Sequence, residues 1–122
     1  MNLELLEPVF SICQVDALRP EDLQSAFCFA ARTDEECSLV CPTDCAPSRA
    51  MTRDDGWRAL RVQGVLDFSL VGILAQIAGT LADRGIALFA VSTYNTDYIL
   101  VRAAQLEAAV AALRGAGHVV AS

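Results

Sequence analysis

The sequence contains no lysine; all nine of its basic residues are arginine. That absence excludes Schiff-base chemistry and the phosphate-binding P-loop, both of which need a lysine amine. Histidine is nearly as scarce, since His118 is the single one in the chain. A cysteine nucleophile would need such a base beside it, and nothing in the spacing brings His118 near a thiol. There is no long hydrophobic run either. The longest apolar stretch, about residues 68–81, is shorter than the roughly 20 residues a membrane span needs and is closed by Asp83 and Arg84. Positive charge is missing before the apolar residues at the start, so the first residues do not read as a secretory signal and a cytosolic protein is expected. No stretch is of low complexity.

What is present is a 122-residue chain that is 54% hydrophobic, enough for one compact domain or two fused half-size modules sharing a core. Residues 1–56 hold 11 acidic residues against 4 arginines, and residues 57–122 hold 4 against 5, so the acidity is concentrated in the first half. A surface of that sign repels phosphate backbones and anionic lipids, which makes nucleic acid and membranes poor partners. The five cysteines are an odd number and are expected to be reduced thiols. Cys37, Cys41 and Cys45 repeat at every fourth position, a spacing unlike that of a zinc knuckle, so no metal is expected. Cys37 and Cys41 read as small buried residues on one face of a strand.

Apolar patterning predicts a strand over 8–15, a helical turn opening at Pro20, strands over 26–32 and 38–41 joined as a hairpin, and a loop over 42–56. From Trp57 the pattern is strand (57–62), helix, strand (86–91), strand (98–101), helix, and a last strand over 118–121. The first helix carries Leu70, Ile73, Leu74, Ile77 and Leu81, with Asp67 or Ser69 as its cap and Gly85 as its left-handed stop. The second carries Leu106, Val110 and Leu113 and stops at Gly115 or Gly117. This βαββαβ order is the split βαβ arrangement, an α+β fold with two helices on one face of an antiparallel sheet. Residues 1–56 repeat most of that order, which suggests a worn duplication with an unrecognised final helix and strand.

The second half resembles the ACT domain, a small-molecule-binding regulatory module of amino-acid metabolism. The resemblance is carried by the turn and helix running from Val65 through Gly72, by Gly85 and Ile86 at the entry to the next strand, and by Ser92 and Thr93 near its end. Ser92 and Thr93 look especially like the tandem ACT units of aspartate kinases, and Leu66, Asp67, Phe68 and Ser69, with the run from Ser92 to Val101, look like the tandem ACT group that includes small bacterial proteins and the cytosolic arginine sensors of animal TOR signalling. The resemblance implies a ferredoxin-like fold with two ACT-like units in tandem, residues 1–56 and 57–122. Asp67 stands five positions before Gly72, further than in ordinary ACT domains, which implies a longer loop.

A free amino acid offers a carboxylate and an ammonium, so its site needs donors and acceptors together. Backbone N–H groups at the helix start supply the donors. Asp67 and Asp97 supply the acceptors and lean toward a cationic ligand, while Ser69, Ser92, Thr93, Asn95 and Thr96 orient it. The expected ligand-binding set is therefore Leu66, Asp67, Phe68, Ser69, Ser92, Thr93, Asn95, Thr96 and Asp97. Each has a plainer reading: Asp67 and Ser69 as caps, and Thr93 to Asp97 as a polar turn with Asn95 at positive φ. Tyr94 and Tyr98 read as core packing, Trp57 as a packing residue at a strand start, and His118 as structural. No cofactor or catalytic constellation is expected, so the chain is read as a non-enzymatic amino-acid-binding regulator. The alternative is a ligand-free module that forms a homodimer or docks a regulated protein through sheet edges.

Overall fold

The computed structural model describes residues 1–64 and 72–121. Its strands are β1 (Asn2–Val15), β2 (Phe29–Arg32), β3 (Cys37–Pro42), β4 (Thr52–Val62), β5 (Leu88–Ser92), β6 (Asp97–Arg102) and β7 (Val119–Ala121). Two helices, α1 (Ile73–Ala82) and α2 (Leu106–Gly115), join them. The chain falls into two compact units: Met1–Glu7 with Arg58–Ser122, and Pro8–Trp57. Strands β1 and β4 contribute residues to both.

In the first unit the strand order is β7-β1-β4-β6-β5. Alternation sets the faces. Leu3, Leu60, Val62, Ile99, Val101 and Val120 turn to one side and meet Ile77 and Leu81 of α1 and Ala109 and Leu113 of α2 in one buried cluster. Both helices thus cover the same face of the sheet, as the βαββαβ order predicts. Each fully buried Leu or Ile contributes about 1.5–3 kcal/mol of apolar burial. The expected first strand began at Pro8, whereas β1 begins six residues earlier. Leu3 and Glu4 already alternate inward and outward there, and β7 adds in parallel to that segment, Leu3 opposite Val120. The last strand therefore pairs with β1, and β1 lies between it and β4.

Both helices end by one device. After α1 the Ile86 N–H reaches the Leu81 carbonyl and the Gly85 N–H the Ala82 carbonyl, with Gly85 at φ 69° where a side chain would be strained. Ile86 then packs in the cluster with Leu81. After α2, His118 and Gly117 bond to Leu113 and Arg114 in the same pattern. At the start of α1, Gly72 takes the N-cap position expected of Asp67 or Ser69, which lie outside the described residues.

In the second unit the order is β2-β3-β1-β4. The predicted hairpin is present, Phe29 opposite Val40 and Arg32 opposite Cys37. Its small core joins Cys13, Leu39 and Cys41, edged by Leu18, Cys28, Ala46 and Ala50, and Phe10 meets Phe27 edge-on at 6.3 Å. Cys41 is buried as expected, Cys37 half-buried and Cys45 exposed. Burial pushes the Cys41 thiol up to about 12, which makes it unreactive at neutral pH. The expected loop over 42–56 is a single 3-10 turn, Thr43–Cys45, followed by the first half of β4. The suspected final helix of this unit is absent among the described residues, and its place in the chain is taken by Pro47 and the early start of β4. Around this turn Arg49 donates to Asp22 at 2.6 Å and 3.0 Å and to the Ala17 carbonyl at 3.0 Å, tying residues 16–22 to 49.

Candidate functional site

The β5–β6 hairpin closes with Ser92 opposite Asp97. Four residues, 93–96, make its tip. The Thr93 N–H and hydroxyl both donate to the Thr96 carbonyl, at 2.9 Å and 3.0 Å, and the Thr93 hydroxyl accepts the Thr96 N–H at 3.4 Å. The Ser92 hydroxyl donates to Asp97 Oδ1 at 2.7 Å. The Thr96 side chain turns inward, is 6% exposed, and donates to the Val62 carbonyl at 2.6 Å. That bond fixes the hairpin tip to the end of β4.

Beyond Val62, the Gln63 N–H bonds to the Asn2 carbonyl and Gly64 takes φ 93°, a left-handed turn. Between this turn and the hairpin tip lies a cleft of about 330 Å³, lined by Arg61, Val62, Gln63 and Gly64 on one side, Asn95, Thr96 and Tyr98 on the other, and Glu4 of β1. Glu4 and Arg61 face away from the helices, since their neighbours Leu3, Leu60 and Val62 face toward them. The Arg61 guanidinium donates to Glu4 Oε1 at 2.7 Å. This bond and the arginine's charge hold the Glu4 carboxyl below the usual carboxylate range. The same bond, with one to the Tyr98 hydroxyl, holds the guanidinium in its charged form.

The nine expected site residues fare differently. Asn95 and Thr96 line the cleft. Thr93 builds the tip, and Ser92 and Asp97 bond to each other at its base. Leu66, Asp67, Phe68 and Ser69 lie outside the described residues. Asn95 does not adopt positive φ, because no described non-glycine residue does; the four-residue tip is closed by threonine side-chain bonds instead. The tyrosines are not core residues: Tyr94 is 80% exposed on the tip, and Tyr98 is half-buried beside the cleft. Trp57 is buried as expected, though within β4 and not at its start. Glu4, Arg61, Gln63 and Gly64 were missed as site residues. The signal for the first two was the alternation in two strands that put an acid and a base on the polar face. Among the described residues no group of three or more His, Cys, Asp or Glu can hold a metal ion, and no helix is long and apolar enough to cross a membrane.

The family model for the ACT domain matches residues 52–115, over half of the chain. The chain belongs to the ACT domain family. Its fold is the ferredoxin-like one of that family. The ACT chain is similar along nearly its whole length to the crystal structure of a protein from Agobacterium tumefaciens, with 32% identity, a TM-score of 0.88, and coverage of 98% of this chain and 90% of that one. The regulatory subunit of aspartate kinase from Thermus thermophilus shares the fold at 13% identity, with a TM-score of 0.65 over 94% of this chain and 96% of that one. A 46-residue stretch is 48% identical to the human protein named Cytosolic arginine sensor for mTORC1 subunit 1. That stretch spans 37% of this chain and 14% of the sensor, so this ACT chain matches a small part of its relative.

Proposed function

We propose that this ACT protein is a non-catalytic regulator that binds a free amino acid in the cleft between the end of β4 and the β5–β6 tip. The observation that carries the reading is the Thr96 bond to the Val62 carbonyl, which holds a polar tip against the strand end where this family's first strand leads toward its first helix. Ser92, Thr93, Asn95, Thr96 and Asp97 form or brace one wall. The similarity to a cytosolic arginine sensor supports both an amino-acid ligand and a cytoplasmic setting. The recurrence of one hairpin in both units supports reading residues 1–56 and 57–122 as duplicated ACT-like copies, the first worn. The bound ligand acts by favouring one arrangement of the protein over another, by as much as its affinities for the two differ.

Thermal melting against each of the twenty amino acids tests this. A ligand at about 100 times its dissociation constant stabilises by roughly 2.7 kcal/mol, which raises the midpoint by several degrees in a chain of this size. A flat response across the panel overturns the reading. It would favour a second one, a pairing module without ligand, supported by strand β5, which ends the strand order and leaves Phe89 36% exposed. Concentration-dependent mass by light scattering checks that alternative.

A further inference from the structure

We infer that β7 is a releasable strand and that His118 is its latch in mild acid: a proton on the buried imidazole expels ring and strand together and uncovers the Asn2–Glu4 edge of β1. The inference does not depend on what the cleft binds. His118 stands between α2 and β7, 6% exposed, and neither ring nitrogen has a hydrogen-bond partner among the described residues. A neutral imidazole brings one N–H donor and one acceptor, so burying both unmatched already costs free energy. A protonated ring brings two donors and a charge, and burying those unpaired costs far more. Water satisfies both forms, so a proton favours whichever arrangement brings the ring out.

The smallest such arrangement is release of the strand that follows the ring. Strand β7 has three residues and pairs with β1 alone, over Asn2–Glu4. Val120 is its one buried side chain, since Val119 is 59% exposed and Ala121 is exposed too. The Val119 N–H bonds to the Met1 carbonyl at 3.0 Å, and Arg114 of α2 donates to the Val120 carbonyl at 2.8 Å. Gly117, at φ 97° beside the ring, is the pivot. The charges on the neighbouring elements give an imidazolium no partner. In α2, Glu107 lies in the first turn, at the far end from His118, and Arg114 in the last. The start of β1 brings the N-terminal ammonium, Glu4, which Arg61 holds, and Glu7; β7 carries no charge. Burial and then the N-terminal ammonium act on the ring, and both favour its neutral form. With β7 released, residues 2–4 keep β4 as a neighbour and lose the other, and Glu4 is one of the residues that line the cleft.

Amide hydrogen exchange of the whole chain, read by NMR from neutral pH into mild acid as protection factors corrected for intrinsic rates, tests this. A strand that opens by itself opens more often than the whole fold does, so the Val119 N–H should be at least about ten-fold less protected than those of Leu81 in α1 and Ile99 in β6 at every pH. The released strand carries one proton more than the docked one below about pH 6.5, so protection at Val119 should fall there by up to about ten-fold per pH unit. The imidazole C–H shifts, followed in the same samples, should titrate below the ordinary histidine value. His118→Leu should keep Val119 protected at neutral pH and remove the decline in acid. Equal protection at Val119, Leu81 and Ile99 would mean that β7 leaves only with the rest of the fold, and the inference falls. It falls equally if protection at Val119 does not change with pH, or if the decline survives in His118→Leu. Should that variant fail to fold, the imidazole titration of the unaltered chain decides: a ring that titrates at or above its ordinary value is not held neutral by burial, and is no latch.

Discussion

The β2–β3 and β5–β6 hairpins are one construction used twice. Each of the four residue pairs in the first recurs sixty positions later in the second: Phe29 with Val40 becomes Phe89 with Leu100, and Arg32 with Cys37 becomes Ser92 with Asp97. Both tips are four residues long and open on a threonine that closes the turn. Thr33 N–H bonds to the Glu36 carbonyl as Thr93 does to Thr96, and each threonine hydroxyl accepts the N–H of the fourth residue. The difference lies in that fourth position. Thr96 turns inward and holds the Val62 carbonyl, whereas Glu36 is exposed and accepts the Ser38 hydroxyl at 2.8 Å. A turn and a wall of a cleft can thus share one backbone, and a single side chain decides whether the tip is anchored. The elements around the hairpins differ more. Where the second half has α1 and α2, the first has the 3-10 turns Pro20–Leu23 and Thr43–Cys45.

The sharpest way to break the comparison is to hollow out the two cores at matching positions. Ile99→Ala and Leu39→Ala each remove a fully buried side chain and should cost about 2–5 kcal/mol in denaturant unfolding. Ile99 sits in the larger cluster, shared by sheet and helices, and Leu39 in a small one of three buried residues. Ile99→Ala should therefore be the more damaging of the two, and a larger loss from Leu39→Ala would show that cluster size does not rank them.

The tips give the next effect. Thr96→Val keeps the shape but leaves the buried Val62 carbonyl without its 2.6 Å donor, at a cost of about 1–3 kcal/mol. Glu36→Val at the matching exposed position should stay within about 0.5 kcal/mol. Equal losses in urea melts would mean that Thr96 is an ordinary turn residue.

A third contrast comes from His118, which has no counterpart in the second unit. Its ring is buried, and neither nitrogen has a hydrogen-bond partner among the described residues. Burial, then the charge of the N-terminus, pushes its pKa below 6.5. The unfolded chain therefore binds this proton before the folded one does. Stability from this source is complete above pH 6.5 and declines as pH falls below it. His118→Leu should flatten that decline, and a melting profile with the same slope as the unaltered chain would sink the assignment.

The smallest effect belongs to Glu4. Its folded pKa is lowered from 4.5 by Arg61, so its contribution is present above pH 4.5 and is lost as pH falls through the folded value. Glu4→Gln should remove that acid-limb component alone, read as a shallower loss of midpoint temperature below pH 4.5.

Much of this architecture was legible because it rests on local rules. The period of Ile73, Ile77 and Leu81, the stop at Gly85, and the alternation of β5 and β6 are patterns that neighbouring residues suffice to set. The 3-10 turn at Pro20 was equally plain. The rest depends on pairings distant in the sequence. Leu3 lies before Pro8, where the expected first strand starts, and nothing nearby says that Val120 will pair with it. The early half of β4 hid among the charged residues 53–55, because a strand with an exposed stretch carries no apolar alternation there. At the site, Asn95 and Thr96 were visible as an interruption of two apolar arms. Glu4 and Arg61 were not, since alternation puts each on the polar face of its own strand while nothing in the sequence says that β1 and β4 lie side by side.

The parallel pairing of β7 with β1 also sets an order of events during synthesis. Residues 8–57 hold every strand segment and turn of their own unit, so that unit has its full set of partners once Trp57 has left the ribosome. The other unit cannot close its sheet until Val120 is free to meet Leu3, a separation of almost the entire described chain. Contacts of such long span form late and slowly. Until then Glu4, which lines the cleft, lies on a strand with one of its neighbours missing.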